Sequence, residues 1–237
     1  MSEPVYEALR RAWSAARGGA GSCVHLWGAS GLGRTSLLAR LTDAASRSPD
    51  SIVVRAACAD ELGPYAEDHG LLEELVLRIS EGVRAFGVTG DAGADTAAAT
   101  PWLLPAGDYL TAATTVSALP GRDAAERDAA RARIHADLLL DVAREHPVLL
   151  CVDDAHRADE ASRRLIDALV TDAALAERRI LVVLTSARGL APAAAPPTQG
   201  ALLTLDPASS EELDAFARAQ VPSTVPDLVV RAAVEHA

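Results

Sequence analysis

The stretch GASGLGRTS, residues 28 to 36, sets Gly28, Gly31 and Gly33 ahead of Arg34 and Thr35. It fits the phosphate-loop pattern G-x-x-x-x-G-K-[ST] at every fixed position except the lysine. Glycines let a backbone turn tightly and bring its N–H groups towards phosphate oxygens, and a helix beginning just after them adds its positive dipole end. Gly28, Ala29, Ser30, Gly31, Leu32, Gly33, Arg34, Thr35 and Ser36 are therefore the candidate phosphate-binding residues, with Thr35 placing a hydroxyl on a magnesium ion. Read alone, such a loop is also compatible with an ordinary strand-to-helix turn.

A second group of residues narrows the choice. The segment PVLLCVDDAHRAD is an apolar run ending in paired carboxylates, Asp153 and Asp154. One carboxylate at a strand end can hold the water shell of a magnesium ion, and its neighbour can accept a proton from an attacking water. Asp153 takes the first part and Asp154 the second. Paired aspartates can also be a solvated strand end or a helix cap, but their place downstream of a glycine loop favours a joint nucleotide site, because ligands of open parallel sheets sit outside the strands' carboxyl ends. A third group, Thr185, Ser186 and Arg188 in ILVVLTSAR, leaves another apolar run at a point where a hydroxyl could position water and a guanidinium could reach a γ-phosphate. A capped strand end with a solvated arginine is the competing reading.

These residues need elements to hold them. Five short apolar runs punctuate the chain: CVHLW (23 to 27), SIVVRAAC (51 to 58), PVLLCVDD (147 to 154), RILVVLTSA (179 to 187) and ALLTL (201 to 205). Several are apolar nearly throughout, as strands buried on both faces of a parallel sheet are. Helical periodicity fills 34 to 46, about 70 to 86, 123 to 145 and 159 to 176. Strands alternating with helices predict an α/β fold, a parallel sheet with helices on both faces. Residues 87 to 108, rich in Gly, Ala and Thr, and 189 to 200, rich in Pro and Ala, read as loops. Near the end, Ser209 and Glu212 have capping-box spacing, which predicts a helix from about 210 to 220. The last segment, VPDLVVRAAVEHA, reads as a helix with little chain left around it, which points to a truncated product: a core over 1–205 and the start of a helical lid over 206–237.

Composition bounds the function classes. At 237 residues and 49% hydrophobic content the chain can bury a sizeable core. There is no run of about 18 apolar residues and no signal-like N-terminus, so a cytoplasmic protein that does not bind membranes is expected. Net charge is −11 and no basic face is evident, which argues against nucleic-acid binding by this chain itself. Cys23, Cys58 and Cys151 lack metal-ligand spacing and read as buried free thiols. All 22 basic residues are arginine, so the arginine at 34 sits within a chain-wide bias.

Glycine loop, paired aspartates and strand-end arginine in this order resemble the signal-transducing STAND branch of the AAA-type P-loop ATPases. The likeness extends to the ATPase domain of large LuxR-type, ATP-binding transcriptional regulators of actinobacteria, whose second element reads much like DDAHxAD. GPYAEDHGLLEELV and LTLDPASSEEL are also similar to that family, over roughly residues 5 to 220. The resemblance implies a five-stranded P-loop NTPase sheet of order 5-1-4-3-2 and ATP or ADP with Mg2+ as cofactors. It also implies a nucleotide-dependent regulatory switch with self-association or a regulatory protein partner. Residue by residue, it makes Arg188 the sensor arginine and gives His156 and Asp159 structural parts in the turn after the third strand. The chain departs from the pattern at Arg34, at Arg157 where a tryptophan is usual, and at SEPVYEAL where a GRE signature is usual.

Arginine keeps lysine's charge but brings a broad planar fork in place of a compact point charge, which is not a conservative change at a tight site. Misplacement of about 1 Å can cost on the order of 100-fold in rate. Three functions stay open from the sequence: a slow ATPase switch, a nucleotide-binding module without turnover, and an interaction protein with an empty site.

Overall fold

The computed structural model describes residues 3–58, 124–187 and 200–207. Within them the chain runs α1 (Glu3–Arg17), β1 (Ser22–Gly28), α2 (Arg34–Ala45), β2 (Ile52–Ala57), α3 (Ala124–Glu145), β3 (Val148–Asp153), α4 (Glu160–Val170), β4 (Ile180–Ala187) and β5 (Gly200–Leu205). Short 3-10 turns follow β3 (Ala155–Arg157) and α4 (Ala173–Glu177).

All five apolar runs form strands, and every pairing among them is parallel. The sheet order is β2-β3-β4-β1-β5, which is the expected 5-1-4-3-2 read from the other edge. The apolar runs explain why. Each residue of β3 is buried, and so are all but the last of β4, because these inner strands meet helices on both sides. Edge strand β5 is exposed at Gly200, Ala201, Leu202 and Thr204, so its sequence is less uniformly apolar.

Alternation along the strands divides the core in two. Val24, Leu26, Leu149, Cys151, Leu181 and Val183 face α1 and α2, while Ile52, Val54, Leu150, Val152, Val182 and Leu184 belong to the layer that contains α3 and α4. Each fully buried leucine stabilises the fold by about 1.5–3 kcal/mol. Cys23 and Cys151 are buried free thiols as expected, and Cys58 is a free thiol only partly covered.

Two elements differ from the sequence reading. Helix α1 is absent from it, although Tyr6, Leu9, Trp13 and Ala16 fall at helical spacing and form the buried stripe. The helix expected over 159 to 176 stops at Val170. There Thr171 Oγ1 donates to the Asp167 carbonyl, and Asp172 accepts from the Ala174 N–H to begin the 3-10 turn. The helices expected over 70 to 86 and 210 to 220, the loop over 87 to 108, nearly all of the loop over 189 to 200, and the lid over 206–237 apart from its first two residues lie outside the described residues.

Leu9 is fully buried against the sheet, so Leu9→Ala is expected to cost about 2–5 kcal/mol in urea unfolding. Burial also lowers the pKa of His25 and His135 below 6.5, the latter against an opposing hydrogen bond with the Arg131 carbonyl. Both rings are harder to protonate in the fold than in the open chain, so below about pH 6.5 the unfolded chain binds more protons. Their contribution to stability is complete above that pH and falls as the pH drops through it. The urea midpoint is expected to decline between pH 7 and pH 5.5, less so in a His25→Gln variant.

Candidate nucleotide site

Parallel pairing brings the carboxyl ends of the strands to one edge. In the register Gly28 lies beside Ala187 and Leu205, and Asp153 beside Ala57. The glycine loop and the paired aspartates therefore share that edge, as the sequence requires.

The loop leaves open space and uncapped N–H groups at the start of α2. Gly31 and Gly33 adopt φ of +85° and +82°, conformations that side chains rarely take, and an added Cβ on either would meet nothing within 4 Å. Gly33 is the N-cap of α2 and offers no side-chain cap, so no cap side chain competes for the first-turn N–H groups. Ala29, Ser30, Gly31, Thr35 and Ser36 are exposed, while Leu32, Gly33 and Arg34 are half-buried. Gly28 is tied to the fold: a Cβ there would lie 2.9 Å from the Cβ of Leu205.

Asp153 is buried at the end of β3, where Thr185 Oγ1 donates to its Oδ1 at 2.6 Å. The same hydroxyl accepts from the Asp154 N–H at 2.9 Å. Thr185 is fully buried, so its proton and a lone pair are committed to the two acids. The sequence gives that hydroxyl a water to position; in the structure its partners are the two aspartates. Asp154 has φ 50° and ψ 43°, the one positive-φ residue other than glycine among those described. Aspartate tolerates this left-handed conformation better than most side chains. Its carbonyl accepts from the Arg157 N–H at 2.8 Å, which closes the 3-10 turn. Further on, Asp159 caps α4 by accepting from the Ser162 N–H at 2.6 Å, a structural part as expected.

Each acid has an arginine. Arg34 Nη2 lies 3.0 Å from Asp154 Oδ1, with the Arg34 side chain only 10% exposed. Neither Arg34 Nη1 nor Asp154 Oδ1 has a hydrogen-bond partner, so the contact is an ion pair at an angle unsuited to a hydrogen bond. His156 Nδ1, 4.0 Å from the same oxygen, is also buried without one. Arg55 on β2 approaches Asp153 Oδ2 at 4.0 Å. The sequence reading missed Arg55; its signal is a charge inside the otherwise apolar SIVVRAAC. Cys58 sits at this edge too, its N–H donating to the Asp153 carbonyl, but burial, then the charges of Asp159, Asp154 and Asp153, push its thiol up to about 12. The thiol form is thereby favoured over the thiolate. Arg188 lies outside the described residues.

These residues fit a nucleotide phosphate with magnesium. Arg34 Nη1 is a buried donor without an acceptor, beside an uncapped helix start and two open glycines. Gly28 to Ser36 would hold the phosphates, and Thr35 with Asp153 the ion. Among the described residues no cluster of three His, Cys, Asp or Glu could hold a metal by itself. Magnesium sites made of one or two carboxylates plus phosphate oxygens need no such cluster.

Thr185→Val removes the donor to Asp153 and the acceptor for Asp154 N–H inside a buried site. A loss of about 1–3 kcal/mol in urea unfolding is expected, with Thr185→Ser restoring most of it.

Three solved structures similar to this chain share little sequence with it. The HORMA:CdnC:Trip13 complex of E. coli MS115-1 aligns at TM-score 0.55 and 12% identity over 98% of this chain and 72% of that one. Cdc6p from Pyrobaculum aerophilum aligns at TM-score 0.57 and 15% identity over 98% and 54%. Drosophila ORC bound to DNA aligns at TM-score 0.51 and 15% identity over 100% and 50%. The chain thus spans about half the length of the latter two. No curated protein matches it. At such identities the likeness establishes the fold alone, and the family follows from the sequence match: the AAA ATPase domain family matches residues 1–183, so the chain, with its glycine loop and paired acids at one sheet edge, belongs to that family of nucleotide-binding P-loop NTPases.

Proposed function

We propose that the chain is a signalling NTPase domain of the STAND type, similar to that of the large LuxR-type regulators, and acts as a nucleotide-dependent switch with slow hydrolysis. The observation that carries this reading is the meeting of Arg34, Asp153, Asp154 and Thr185 at one edge of the sheet, within 3.0 Å of one another in successive pairs. Bound ATP with Mg2+ would supply the transferable phosphoryl group. The chain's own residues supply the rest: the loop N–H groups and Arg34 bind phosphate oxygens, Thr185 fixes the Asp153 carboxylate for the ion, and Asp154 takes a proton from water. Arg188 is proposed as a further phosphate contact. The acidic net charge of −11 favours a protein partner or self-association over nucleic acid.

Slow turnover is favoured by the placement of Arg34. A guanidinium held on the base both withholds charge from a phosphate and blunts the base. The same placement supports the alternative of a module that binds nucleotide without turnover.

Magnesium-ATP binding followed by phosphate release separates these readings. Micromolar to millimolar affinity, with slow release abolished by Asp154→Asn, is expected. Arg34→Lys is expected to raise turnover by roughly 10- to 100-fold if only the alignment of the loop is impaired. Binding without any release would leave the binding module, and no binding at millimolar ATP would overturn the nucleotide reading altogether.

A further inference from the structure

We propose that Asp154 serves as an internal substitute for phosphate, a latch that occupies Arg34 until nucleotide displaces it. The inference rests on the nucleotide reading and concerns the regulation of that same site.

Three observations carry it. The Arg34 side chain, which starts in the first turn behind the glycine loop, ends 3.0 Å from the Asp154 carboxylate and is 10% exposed. A guanidinium fork takes a carboxylate or a phosphate with the same geometry, so the two anions compete for one group. The contact is also incomplete. Arg34 Nη1 and Asp154 Oδ1 are buried without a hydrogen bond, so the pair gains Coulomb energy but lacks the bidentate closure of a permanent bridge. Finally, Asp154 is held in place. Its left-handed backbone, its N–H bond to Thr185 and the Arg157 N–H on its carbonyl fix the point from which the carboxylate reaches out. The flexible half of the latch is the arginine.

Two consequences follow together. With the latch closed, the proposed base is neutralised and the phosphate loop lacks its principal cation. With it open, both are released at once. Nucleotide must then bind a minority state, and apparent affinity falls by the fraction open: a latch closed nine-tenths of the time weakens binding about tenfold. Removing the proposed base should therefore tighten binding. Asparagine is a suitable replacement because it also tolerates the left-handed conformation that position 154 requires.

The test is calorimetric titration of the full chain with Mg2+ and either ADP or a non-hydrolysable ATP analogue. Wild type, Asp154→Asn, Arg34→Ala and the double variant are compared. Asp154→Asn is expected to bind both ligands about tenfold more tightly, and the gain should shrink to within about twofold on the Arg34→Ala background. A variant that merely traps ATP by failing to hydrolyse it would leave ADP affinity unchanged, so an unchanged or weaker ADP affinity overturns the latch. A second measurement needs no ligand: urea unfolding of the same four proteins should be non-additive if the pair forms in solution. Binding without that coupling strikes down the latch and leaves the nucleotide reading standing. Coupling without binding by any of the four strikes down the nucleotide reading and, with it, the competition.

Discussion

A carboxylate at the end of a strand buried on both faces must be met by a donor, and here Thr185 is that donor. Its hydroxyl gives its proton to Asp153 and takes the N–H of Asp154, so one side chain on β4 sets both acids at the end of β3. The neighbouring pairing of β3 and β4, with Val152 beside Leu184, makes this reach possible. Without the pairing Asp153 would be a buried anion lacking its donor, an arrangement that costs more than the hydrogen bond itself contributes. The sheet order is thus tied to the chemistry of the edge, since the strand next to β3 carries the brace for it.

The fold was legible in the sequence because the strands that matter most are the ones buried on both sides. Burial there leaves no polar alternation, and runs such as VLLCV and ILVVL have few other readings in a chain of this kind. Helix α1 escaped because its charged residues draw attention from the spacing of Tyr6, Leu9, Trp13 and Ala16. The break after α4 depends on Thr171 and Asp172 turning their side chains back onto the backbone, a choice local propensity leaves balanced.

The candidate site was legible as a set of positions but not as a set of contacts. Loop spacing and the DD pair reported which residues share the sheet edge. They did not report that Arg34 lies on Asp154, or that Arg55 reaches towards Asp153, because both pairs join residues far apart in the chain through side chains of several rotatable bonds. By residue type alone Arg34 is a broader, less compact cation in lysine's place. In the structure its length is what lets it reach from α2 to a carboxylate in the turn after β3, so the substitution changes the partner as well as the shape of the cation.

The contact between Gly28 and Leu205 has a mechanical meaning. The first residue of the glycine loop lies so close to the last residue of β5 that a side chain there would crowd Leu205, which makes the two strand ends one close joint. The chain continues directly from Leu205 at that joint. Any side chain at position 28 would therefore press β1 and β5 apart at the edge that carries the loop.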